Sequence, residues 1–107
     1  MAKLGTTAFR PGVPTRPDYI DSRVLAATTA EQHTVPAGMA YCYLSAEMPV
    51  FLAWGSNPTA DIPAADVTDG TSSYLMIREM WLPCSDIAKI SIISRVAGVV
   101  TLAFFTP

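Results

Sequence analysis

The chain reads as an all-β protein: an antiparallel β-sandwich of jelly-roll type, preceded by an extended, proline-containing N-terminal arm. Three observations predict this. From residue 24 onward the apolar residues fall in short runs separated by Pro, Gly, Asn and Asp, the punctuation of strands and tight turns. No stretch sustains the i, i+3, i+4, i+7 spacing of an amphipathic helix between caps. The 107 residues are 50% hydrophobic and 15% charged, with mean hydropathy +0.32, which describes one folded domain with one core and excludes a wholly disordered chain.

Residues 1–23 are the expected arm and residues 24–107 the sandwich domain. Pro11, Pro14 and Pro17 each lack an amide donor and push the preceding residue toward extended backbone, so this segment suits neither a helix nor a central strand. Leu4, Phe9, Val13, Tyr19 and Ile20 are spaced along it, and an extended segment with apolar anchors suits a groove on another surface. Residues 24–28 and 31–35 are expected short strands, followed by a Pro36-Ala37-Gly38 turn. In the next run, 39–46, Ala40, Cys42, Leu44 and Ala46 share one face and Met39, Tyr41, Tyr43 and Ser45 the other, so both faces call for cover. Pro49 introduces 50–54, stopped at 55–58, and the two runs read as an antiparallel hairpin. Residues 59–72 read as a long loop and 73–78 and 80–82 as strands. The final runs, 87–94 and 99–106, alternate in strand fashion across a 95–98 turn in which Gly98 is free to take a positive φ. The expected total is seven or eight short strands.

Net charge −2 and a pI near 5.1 argue against a nucleic-acid partner bound through phosphate neutralisation. The charge is unevenly spread: Lys3, Arg10, Arg16 and Arg23 against Asp18 and Asp21 make the arm basic, while Arg78, Lys89 and Arg95 against seven acids make the body acidic. Residues 1–23 hold no continuous apolar h-region, and the apolar run near the C-terminus is far shorter than the roughly 20 residues of a membrane helix, so the expectation is a soluble, cytoplasmically made protein with no membrane partner. Cys42 and Cys84 occur without a CxxC motif or paired histidines, so neither a zinc site nor a disulfide framework is indicated, and a bridge between the two stays open. His33 stands alone, without a motif that nominates a nucleophile or an orienting acid, and the chain is expected not to be an enzyme. Asp61, Asp66 and Asp69 with Gly70 lack the EF-hand spacing and read as a solvated turn, so neither a metal nor another cofactor is expected.

The runs Thr-Val-Pro-Ala-Gly-Met-Ala-Tyr-Cys-Tyr-Leu-Ser-Ala (34–46), Val-Phe-Leu-Ala-Trp-Gly (50–55), Ile-Pro-Ala-Ala-Asp-Val-Thr-Asp-Gly-Thr-Ser (62–72), Ile-Ser-Ile-Ile-Ser (90–94) and Val-Val-Thr-Leu-Ala-Phe-Phe (99–105) give the chain its closest pattern. Together they resemble the small jelly-roll capsid cement, decoration or staple proteins of tailed double-stranded DNA bacteriophages. The resemblance covers roughly residues 34–106 and carries no catalytic signature. It implies a non-enzymatic structural protein of the virion, made in the host bacterial cytoplasm, that sits on the capsid exterior, binds the major capsid protein and stabilises the head. Composition separately asks for a partner, because a chain this short buries only about two-thirds of the surface its unfolded form exposes. A homodimer or other symmetric oligomer would supply one. The residues expected at a capsid or subunit interface are Phe9, Arg10, Pro11, Val13, Pro14, Arg16, Tyr19, Met39, Tyr41, Tyr43, Trp54 and Trp81. The alternative is a carbohydrate-binding module of a phage tail or fibre, in which Trp54 and Trp81 would flank a groove and stack on sugar rings.

Overall fold

A computed structural model describes residues 16–107, which form eight strands and no helix. In chain order they are β1 (Tyr19–Leu25), β2 (Glu31–Thr34), β3 (Tyr41–Ala46), β4 (Val50–Gly55), β5 (Tyr74–Met76), β6 (Glu79–Pro83), β7 (Lys89–Ile93) and β8 (Gly98–Phe105). Two antiparallel four-stranded sheets pack as a sandwich, the first in the order β1-β8-β3-β6 and the second in the order β2-β7-β4-β5. The chain changes sheet at almost every connection, and this order is the winding of an eight-stranded jelly roll, as expected from the sequence.

The core follows from strand parity. Val100, Leu102 and Phe104 of β8, Cys42 and Leu44 of β3 and Leu82 of β6 point inward from the first sheet. They meet Val50 and Leu52 of β4, Met76 of β5, and Ile90 and Ile92 of β7 from the second. Truncating a side chain such as Phe104, which is fully buried, would cost about 3–5 kcal/mol in lost transfer energy and cavity.

Four expectations are corrected. Residues 19–23, assigned to the arm, belong to β1, which pairs with β8 from Tyr19 opposite Phe104 to Leu25 opposite Gly98. Asp21 and Arg23 disguise this strand in the sequence, because they occupy inward positions that normally hold apolar residues. The two supposed hairpins do not exist: β3 and β4 lie in different sheets, as do β7 and β8, so the short turns between them cross from one layer to the other. Gly98 has no positive φ; that conformation belongs to Gly38, Gly55 and Gly70. Glycine is required at 98 for space, since a Cβ there would lie 2.5 Å from Met48 Sδ.

Residues 59–72 are free of regular secondary structure, as expected, and the segment from Asn57 to Ala60 lies on the outer face of the second sheet. The Ala60 N–H donates to the Ser91 hydroxyl at 2.8 Å, and Gln32 Nε2 donates to Asn57 Oδ1 and to the Pro58 carbonyl. Ser91 and Ile93, which face away from the core, are buried along with Ala60. β7 is thus covered on both sides, which explains why it lacks a solvent-facing polar alternation, while Leu75 on the outer face of β5 stays 47% exposed.

Gly98→Ala should lower stability by about 1–3 kcal/mol, because Met48 is itself buried and has little room to yield. Denaturant melts should show most of that loss recovered when Gly98→Ala is introduced into a Met48→Ala background, where the clash is gone.

Candidate interaction surface

The outer face of the first sheet has no such cover among the described residues. Its rows run across all four strands: Ile20 opposite Ala103, Ala103 opposite Tyr43, Tyr43 opposite Trp81; and Ser22, Thr101, Ser45 and Glu79 in the same order. Tyr41 opposes Phe105 on one side and Pro83 on the other, at the end of the sheet where β1 begins. Trp81 packs tilted on Tyr43 at 4.7 Å between ring centroids and on Phe105 at 5.1 Å. Even so, Trp81 stays 45% exposed and Tyr41 49%, while Ile20 and Val24 on the opposite edge are 65% and 73% exposed. The result is a contiguous aromatic and aliphatic patch, made by Ile20, Ala103, Tyr43, Trp81, Tyr41 and Phe105, beside a polar row that ends in Glu79. Tyr and Trp are the residue types that anchor protein interfaces.

The residues singled out in the sequence are only partly gathered here. Tyr41, Tyr43 and Trp81 share the face. Met39 does not: it precedes the strand, so strand parity does not govern it, and with Gly38 at φ +82° the chain turns its side chain into the core, 7% exposed. Trp54 lies on β4 of the other sheet, in register with Ile90 and His33, and leans on Tyr74 at 6.2 Å. Trp54 and Trp81 therefore flank no common groove. Arg16 and Tyr19 are exposed at the entry to β1, and Phe9, Arg10, Pro11, Val13 and Pro14 lie outside the described residues. Ile20 and Val24 were missed as members of the face because nothing local in 19–25 reveals that Ile20 ends up in the Trp81 row.

His33 is engaged at both ring nitrogens. Arg23 Nε donates to Nδ1 at 2.9 Å, so Nδ1 carries a lone pair, Nε2 carries the proton, and Nε2–H donates to Asp21 Oδ2 at 2.8 Å. The ring also stacks on Phe104, at 5.8 Å and 12° between planes, and Arg23 reaches on to Glu31 at 3.4 Å and the Gln32 carbonyl. These contacts bolt β1 of one sheet to β2 of the other along an open edge of the sandwich. Among the described residues no serine, threonine or cysteine hydroxyl or thiol is bonded to the imidazole, and its base nitrogen is already occupied.

Cys42 and Cys84 are both buried and unbridged. Burial pushes the Cys42 thiol up to about 12, with Cys84 and Asp21 nearby adding to the shift, and burial likewise raises Cys84, with Asp86 adding to it. Both are held as neutral thiols, unlike reactive cysteines, which are partly exposed and electropositive. Asp69 closes a local turn, its Oδ1 accepting from the Thr71 N–H at 3.1 Å and the Thr71 hydroxyl at 2.6 Å, which keeps its carboxyl below the usual range. Asp61, Asp66 and Asp69 do not converge, and among the described residues no three His, Cys, Asp or Glu side chains come together as metal ligands.

Two measurements check this chemistry. Nitrogen-15 correlation spectra should show His33 as the Nε2–H tautomer, and Arg23→Ala should leave the tautomers mixed. Because the folded Cys42 pKa lies above its ordinary value near 9, the stability it confers is complete below that value and is lost as pH rises toward 12. Denaturant melts above pH 9 should lose up to about 1.4 kcal/mol per pH unit for this thiol, and the decline should be shallower in Cys42→Ala.

Comparison of the chain with protein-family models, with curated protein sequences and with solved structures finds no match in any of the three.

Proposed function

We propose that the protein is a capsid decoration, or cement, protein of a tailed double-stranded DNA bacteriophage. In this reading it is a non-enzymatic virion component, made in the host cytoplasm, that binds the major capsid protein on the outside of the head. The observation that carries the proposal is the asymmetry of the sandwich. β2 and β7 of one sheet are covered by the molecule's own loop, while the other sheet turns a Tyr41, Tyr43 and Trp81 face outward. A rigid jelly-roll body with an exposed aromatic face suits attachment to a surface, and the pattern of residues 34–106 resembles that of such proteins.

The basic, apolar-studded segment before β1 would supply a second, extended contact, with Lys3, Arg10 and Arg16 complementing acidic capsid surface. Proline at 11, 14 and 17 reduces the conformational entropy lost on docking. Binding only to the assembled shell stabilises it by mass action, about 1.4 kcal/mol per site for each tenfold excess of free protein over its dissociation constant. No bond need be made or broken. The carbohydrate-binding alternative is weakened by the separation of Trp54 and Trp81 onto different sheets.

Purified protein added to heads that lack it should co-sediment with them and raise the temperature at which they release DNA. Removing residues 1–15 spares all eight strands, so the truncated chain should fold and yet bind at least tenfold more weakly. Heads that neither bind the full chain nor gain heat resistance from it would refute the proposal, and equal binding by the truncated chain would remove the N-terminal segment from the attachment.

A further inference from the structure

We infer that the open face of the first sheet is the interface of a symmetric homodimer, with a second copy of this chain packed face to face about a two-fold axis parallel to the strands, between β8 and β3. The inference comes from the order of side chains along the rows. Rotation about such an axis exchanges the two edges of the sheet while keeping each row at its own height, so β1 of one copy lies over β6 of the other and β8 over β3.

The first row reads Ile20, Ala103, Tyr43, Trp81. Superimposed on its own reverse, it sets the aliphatic Ile20 of one copy on the indole of Trp81 in the other, and the small Ala103 under the large Tyr43. The second row reads Ser22, Thr101, Ser45, Glu79. Reversed, it brings the Ser22 hydroxyl, a donor, to the Glu79 carboxylate, an acceptor, and the Thr101 hydroxyl to that of Ser45. In these two rows a large group meets a small or aliphatic one and a donor meets an acceptor, and Glu79 never meets its own copy, while at the end of the sheet Phe105 meets Tyr41. An axis perpendicular to the strands would instead lay each strand antiparallel on its own counterpart; placed between the two rows it would set Trp81 on Glu79 and Ile20 on Ser22, and lose this complementarity. Self-complementarity of this kind is what a two-fold interface requires.

The size of the face sets the strength. Four strands at ~4.8 Å spacing, of five to eight residues each at ~3.3 Å, span roughly 20 Å by 20 Å, so a face-to-face pair buries about 800 Å² in total. That is the size of weak, transient contacts, so the dimer should be weak and depend on concentration. It takes the same face that the capsid reading invokes, so a dimeric chain would meet the capsid through surface outside this face; because the free chain is the species measured, failure to decorate heads leaves the inference intact, and a monomeric free chain overturns it alone.

Light scattering or sedimentation of the full chain across a concentration series should show a monomer–dimer equilibrium. Ala103→Glu, a change at the centre of the face that leaves the core untouched, should weaken it at least tenfold while thermal melting of the monomer is retained. Ile20 and Trp81 of one molecule lie three strand spacings apart, ~14 Å, so Ile20→Cys combined with Trp81→Cys can bridge only between copies. Mild oxidation should give a covalent dimer from the double variant and none from either single variant. The native thiols are buried and do not compete. A wild-type chain monomeric at every concentration, a dimer indifferent to Ala103→Glu, or covalent dimer from Ile20→Cys alone would each overturn the inference.

Discussion

The first sheet is organised by the last strand of the chain. β8 lies between β1 and β3, and its inward residues Val100, Leu102 and Phe104 are completely buried against both layers. Pairing β8 with β1 joins residues near the two ends of the described chain, Tyr19 to Phe104, so the sheet cannot close until nearly the whole sequence is in place. A fold assembled from such distant pairings gains its stability late and cooperatively, because loop-closure entropy precedes the reward of the contacts.

Phe104 also connects this spine to the edge of the sandwich. The His33 ring stacks on it, and Asp21 and Arg23 hold the two ring nitrogens from the neighbouring strand. An Asp-His pair invites a catalytic reading, but the geometry favours a structural one. The nitrogen that would act as base accepts from a guanidinium, and the cluster satisfies its own polar groups at the place where the two sheets part. Inward charges on β1 have a second consequence, since a terminal strand that carries them is a poor template for further strand addition. Association is thereby directed away from the sheet edge and toward its face.

The two outer faces have opposite fates, and the difference lies in one connection. The segment after β4 passes over β7 and β2, satisfying Ser91 and Gln32 as it goes and covering that half of the second sheet. No equivalent segment among the described residues crosses the first sheet, where Tyr41, Tyr43 and Trp81 remain accessible beside Ile20 and Val24. Exposed apolar residues also occur elsewhere, at Trp54, Tyr74, Leu75 and Ile77, but the first sheet gathers its own into one face. That face is the physical basis for the proposal that the molecule attaches to a partner.

Strand identity was largely legible in the sequence, because alternation along 41–46 and 98–105 and the prolines and glycines between runs are local signals with local causes. The sandwich class followed from them, whereas the cover expected on both faces of 39–46 is present on one face only, Tyr41 staying exposed on the other. Which strands pair was not legible: a short turn can close a hairpin or carry the chain to the other layer, and the choice at 47–49 and 94–97 is made by what each strand buries. β1 escaped notice for the same reason, its polar inward residues making sense only beside His33 on a strand from the other sheet. The surface was legible as aromatic residues seeking a partner and not as a face. Tyr43 and Trp81 are far apart in sequence, Met39 and Trp54 looked equivalent to them, and only the register of β1, β8, β3 and β6 sorts the four, because side-chain direction in a sheet depends on pairing as well as on position along the strand.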